Sequence, residues 1–250
     1  MTGSTGNTTT ITTDSLYRYI TGNGIPGHVT GAFPNPNNPN SISAQSYNWR
    51  CFKSPSAAGS YTAGGLGKKA GTARNSVPFD PYANEWYQNN PATGWQYEPK
   101  GGGVNLGIDS SNAHVQPNGA YHYHGLPMGL LNLLSYTTQM AIVGWAADGF
   151  PIYGPYCYSV ANNSSSGLRQ MTSSFRLKSG TRSGGPGGVY DGTFEQDWEY
   201  VAGLGDLDQA NGRTGVTPEF PGSTYYYVLT NAYPYIPRYM RGTPDRSFGY

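Results

Sequence analysis

Tyr121-His122-Tyr123-His124 constrains the fold of this chain more than any other stretch. Read as a strand it alternates faces, so the two imidazoles project to one side and the two phenol rings to the other. A turn at Gln116-Pro117-Asn118-Gly119 swings His114 back towards the pair. The chain has only 4 histidines, and three fall in this one window. Three imidazoles with one open position are a means of holding zinc or another borderline metal while leaving room for water or substrate. The plainer alternative stays open: the same rings can bridge polar groups in a tyrosine-rich core.

The rest of the composition supports a sheet. With 36 Gly, 19 Pro and 22 Tyr in 250 residues, long helices are disfavoured and short strands joined by defined turns are expected. The 14% aromatic content argues against disorder, because those rings bury enough area to offset chain entropy. The expectation is a mainly β protein: one β-rich domain over residues 15–250, with long ordered loops and one or two short helices. A polar, Thr-rich arm over residues 1–14 precedes it.

A net charge of +1 and the lack of any basic run exclude an electrostatic grip on nucleic acid. No apolar run is long enough to cross a bilayer. Residues 1–13 lack a positive segment followed by an apolar one, so either a signal peptide has been removed or none is used. Cys51 and Cys157 allow one disulfide without requiring it.

Along the chain, strands are expected at 15–20, 42–52, 141–147 and 223–230, and His28 lies in a Pro- and Asn-rich loop over 23–40. Gly64 to Thr72 lacks the spacing of a phosphate-binding loop and reads as a turn. Val77 to Tyr87 offers one or two helical turns, with Asp80 as a cap and Glu85 as the carboxylate to watch. Leu126 to Gln139 is the best helix candidate, with Pro127 in its first turn. Asp148-Gly149 is a strand-end turn whose carboxylate can orient a ligand histidine. Gly205 to Arg213 hints at a calcium loop, but its acidic positions do not fit the spacing of the helix–loop–helix calcium motif.

These blocks together resemble the YHYH-domain family. The resemblance runs from about Asn23 to the C-terminus. It takes in Gly24-Ile25-Pro26 with His28, Val77-Pro78-Phe79-Asp80-Pro81, Asn112-Ala113-His114-Val115-Gln116-Pro117 and Tyr121-His122-Tyr123-His124-Gly125. Further on it takes in Gly144-Trp145-Ala146, Asp148-Gly149-Phe150-Pro151-Ile152-Tyr153-Gly154, Asn211-Gly212-Arg213 and Tyr233-Pro234-Tyr235-Ile236-Pro237-Arg238. The resemblance implies an exported bacterial or bacteriophage-associated protein, and it implies a shared site of His28, His114, His122 and His124. Where the family pattern has cysteines this chain has Ala210 and a residue near Tyr239 or Met240, which puts a family-type disulfide in doubt.

Three functions follow as expectations. The first is a non-enzymatic extracellular or virion surface protein with a histidine site for a divalent transition metal, zinc or copper, calcium being the weaker choice. It would dock on copies of itself or on other surface proteins through the N-terminal arm. The second is a metal-dependent hydrolase using His114, His122 and His124, with Asp148 or Glu85 as general base or orienter. The third is a carbohydrate-binding module, with Trp95 and Tyr97 as a stacking pair.

Overall fold

Alternating tyrosines build the centre of the molecule. In the strand Thr224–Val228, Tyr225 and Tyr227 enter the main core, while Tyr226 and Val228 enter a smaller cluster on the other face. A strand buried on both faces belongs inside a sheet, and this one is the second of eight. The order across the sheet is Gly212–Gly215, Thr224–Val228, Pro151–Tyr153, Ile142–Ala146, Gly71–Ala73, Pro78–Phe79, Tyr121–Tyr123 and Ala113–Val115. The sheet is mixed: Phe79 pairs in parallel with Tyr123, and Pro151–Tyr153 runs parallel to Thr224–Val228. The structure, a computed structural model, describes residues 6–250. The mainly β fold is as the sequence implies.

A second sheet of three strands joins Thr9–Thr13, Tyr17–Gly22 and Tyr47–Phe52. Thr9 to Thr13 pair residue for residue with Arg18 to Gly22, so this part of the expected arm is an edge strand on the body. Its β-branched threonines suit the pleated geometry. Residues 1–5 of the arm lie outside the described residues.

Two expected helices are shortened by identifiable local causes. The helix predicted over 126–139 spans only Met128–Leu133. It stops because Ser135 takes a left-handed φ of 51°, and the Gln139 side chain caps the Leu134 carbonyl at 2.7 Å. The turns predicted over 77–87 give way to the strand Pro78–Phe79, with short 3-10 turns later at Tyr87–Asn89 and Pro91–Thr93. Val77 and Asp80 each precede a proline, which pushes them to extended backbone.

Cys51 and Cys157 are both buried free thiols, so no bridge joins them. Among the described residues no helix is long and apolar enough to cross a membrane. The Tyr/His strand lies next to the sheet edge rather than in the middle, and this placement opens one of its sides to a cleft.

Candidate metal centre

Register assembles the site. The hairpin of Ala113–Val115 and Tyr121–Tyr123 sets His114 directly opposite His122. His124 follows two residues on, on the same face, and its main-chain N–H donates to the Asn112 carbonyl at 2.7 Å. The ring centroids of the three imidazoles are 4.5 Å (His114–His122), 4.8 Å (His114–His124) and 4.7 Å (His122–His124) apart. One ring nitrogen from each lies within 4.8 Å of the others. His122 and His124 are only 1% and 2% exposed, and His114 is half-buried.

Second contacts choose the nitrogen that faces the centre. His114 Nδ1–H donates to the Leu106 carbonyl at 2.9 Å, and His122 Nδ1–H donates to the Ala120 carbonyl at 3.1 Å. Both rings therefore turn their Nε2 lone pairs inward. The amide of Asn38 lies 3.2 Å from His114 Nδ1 and donates to the Val115 carbonyl at 3.0 Å, bracing that side. His124 Nε2 lies 3.0 Å from His122 Nε2, and its Nδ1 is buried with no hydrogen-bond partner.

The electrostatics keep the rings neutral. Burial lowers the pKa of His114 and drives those of His122 and His124 well below the usual value. The neighbouring imidazoles, Lys69 and, for His124, Arg238 add to that depression. Glu85, Asp80 and Asp109 act on His114 in the opposite sense, with less weight than burial. Neutral imidazole is the form that ligates a metal. At metal–nitrogen bonds of ~2.0–2.1 Å, two ligands on a tetrahedral ion stand roughly 3.3 Å apart, close to the His122–His124 spacing. The three residues fit a metal ion and could hold one.

His122 also lines a cleft of about 580 Å³. On the same wall the buried Asp80 carboxylate forms an ion pair with Lys69. Gln45, Asn84 and Gln116 line the cleft as well. In the sequence Asp80 is a cap candidate and part of the Val77-Pro78-Phe79-Asp80-Pro81 block, and neither marks it as a site residue. The pairing of Phe79 with Tyr123 and of the Asp80 N–H with the Tyr123 carbonyl (2.9 Å) brings it beside the histidines.

Not every expected residue joins the cluster. His28, expected as a fourth ligand, packs on the tyrosine side of the strand. Its Nε2 meets the Tyr123 hydroxyl at 2.7 Å, and its ring stacks on Tyr123 at 6.0 Å. Strand alternation separates that face from His122 and His124. Gly129 makes room for the ring, since a Cβ there would stand 2.3 Å from His28 Nδ1.

Asp148 is fully buried elsewhere. It accepts from the Tyr227 hydroxyl at 2.5 Å and the Gly242 N–H at 2.7 Å. Among the described residues no hydrogen bond or ion pair links Asp148 or Glu85 to the three rings, though the Glu85 charge reaches His114.

The carboxylates of the possible calcium loop are held by protein donors. Asp206 is paired with Arg169 and Thr172, and Asp208 takes hydroxyls from Tyr225 and Tyr61. Trp95 and Tyr97 do not form an open platform: both are half-buried against Phe194, at centroid distances of 5.6 and 4.7 Å.

A family model described as YHYH protein matches residues 48–242, which include all three clustered histidines but not His28. No curated protein matches the chain, and no solved structure does.

Proposed function

The chain belongs to the YHYH protein family, and from that membership and the convergence of its histidines we propose that it is a metal-binding protein. Its centre holds one divalent transition metal ion, zinc or copper, on His114, His122 and His124. The observation that carries the reading is the inward turn of two Nε2 atoms fixed by main-chain carbonyls, with the third imidazole nitrogen 3.0 Å from one of them. Three neutral nitrogens and no carboxylate suit a borderline ion better than calcium or magnesium, which prefer oxygen.

In this reading the ion ties the two strands of the edge hairpin to each other and to His124 just past it, and stabilises the fold. The setting is a cell exterior or a virion surface, in keeping with the low charge and the tyrosine-rich core. The Thr9–Thr13 edge strand offers unpaired main-chain groups on its outer side for a further copy or another surface protein. Elemental analysis of untagged protein tests the centre. About one equivalent of zinc or copper is expected, and its absence after growth and dialysis in both metals would sink the proposal.

A second reading, hydrolysis by a metal-bound water, is favoured by one observation: His122 opens onto the 580 Å³ cleft that also holds Asp80 and Lys69. A metal with three protein ligands keeps a position for water and lowers its pKa towards neutrality. Asp80 would then be the nearby carboxylate to take a proton from that water. Cobalt substitution separates the two readings. A visible spectrum that shifts on adding azide indicates an exchangeable position, whereas an unresponsive spectrum indicates a closed structural site.

A further inference from the structure

A second cavity, of about 390 Å³, is walled by Pro99, Val104, Leu106 and Ile108, with Lys100, Asn105 and Asn112 as polar groups. It shares main chain with the metal centre. The Leu106 carbonyl takes the His114 ring proton, and the Asn112 carbonyl takes the His124 N–H. The metal reading does not use this space.

Lys100 is the unusual group in it. Its side chain is half-buried, and its ammonium lies 4.3 Å from the centroid of the Tyr235 ring. Among the described residues it has a single hydrogen-bond acceptor, Asn112 Oδ1 at 2.6 Å, and no ion-pair partner. Glu98, whose charge acts on it, is paired instead with Arg238. With one N–H on Asn112 and the ammonium over the Tyr235 ring, one of its three protons is left without a protein acceptor. Burial lowers the pKa of Lys100 despite the opposing charge of Glu98.

The backbone around it is shaped to hold the ammonium there. A Cβ on Gly125, next to His124, would stand 3.0 Å from Lys100 Nζ, and a Cβ on Gly101 would stand 2.2 Å from the Gly192 carbonyl. Glycine at both places lets the loop after Lys100 pack tightly and lets the amine lie over the strand.

We propose that this cavity is a binding site for a small carboxylate with a short apolar tail. The carboxylate accepts the remaining N–H of Lys100, and the tail packs on Val104, Leu106 and Ile108. One cation without a second basic group favours a singly charged anion over a phosphate. The aliphatic walls favour a tail without hydroxyls. The site stands apart from the metal reading, so it is expected to bind equally in chelator-treated protein.

The test is a titration of the full chain with isovalerate and, separately, with its uncharged amide, isovaleramide, followed by amide NMR shifts. Isovalerate is expected to shift residues 99–112 saturably, and isovaleramide to bind at least tenfold more weakly. Lys100→Met is expected to remove the preference for the acid, with near-ultraviolet circular dichroism confirming that the variant is folded. The acid–amide comparison on the unmodified chain stands even if that variant does not fold. Equal binding of acid and amide, no shift with either, or an acid preference that survives Lys100→Met would overturn the assignment.

Discussion

His122 Nε2 stands 3.0 Å from His124 Nε2, so a strand residue and the residue just past the strand's end meet through the nitrogens that a shared ion would engage. Without an ion, one proton bridges them, carried by His124 Nε2–H and accepted by His122, whose own proton is committed to Ala120. That arrangement leaves His124 Nδ1 buried and unpartnered. A metal bound by the three rings would take the place of that bridging proton.

The double variant His122→Ala/His124→Ala should therefore lose the bound metal completely. Elemental analysis reads the loss. Chelation of the unmodified protein should lower its melting temperature, while the variant should not respond to chelator at all.

His28→Ala should keep the metal. The ring lies on the tyrosine side, where its loss removes packing and a hydrogen bond to Tyr123, whose hydroxyl also takes a bond from Asn75 at 2.9 Å. A cost of about 1–3 kcal/mol in denaturant unfolding is expected, with metal content unchanged. Loss of metal in this variant would restore His28 to the ligand set.

Asn38→Ala should weaken the metal without removing a ligand. Asn38 braces the Val115 carbonyl and stands beside His114 Nδ1, so its truncation lets that ring reorient. Competition with a chromophoric chelator should show roughly a 10–100-fold loss of affinity, typical for groups that orient a ligand histidine.

Acid should destabilise the metal-free protein through the same histidines. In the folded chain His122 and His124 bind protons well below the usual value of 6.5, whereas in the unfolded chain they bind them near it. The unfolded state thus holds more protons as pH falls, and stability present above about pH 6.5 declines below it. Denaturant midpoints measured from pH 8 to 5 should fall, and the fall should be smaller in the double variant.

Glu195 predicts the opposite slope. It is buried beside Glu98 and Arg238, and burial raises its carboxyl from 4.5 to about 7. Between those values the folded chain holds the proton and the unfolded chain does not, so stability falls as pH rises through that window. Glu195→Gln should be more stable than the parent above pH 7, by on the order of 1 kcal/mol. The two should converge near pH 5.

Much of the fold was legible in local patterns. The tyrosine alternations at 121–123 and 225–227, and the apolar run at 142–146, are strands because period-2 burial is a local property. The Met128–Leu133 helix was visible but overextended, because the left-handed Ser135 carries no sequence signal that separates it from an ordinary helical serine. Prolines at 78 and 81 outweighed the helical turns that the residues around them allowed.

Within the site, local sequence suffices to put His122 and His124 on one face and to return His114 towards them through a turn. Both follow from strand geometry and short chain separation. Tertiary structure alone decided the rest. It set His28 behind the strand and drew Asp80 in through a parallel pairing with Tyr123. It also buried Asp148 under Tyr227, far from the role its turn suggested. These placements depend on which strands become neighbours, a choice made by the packing of the whole tyrosine core. No window of local sequence contains that information.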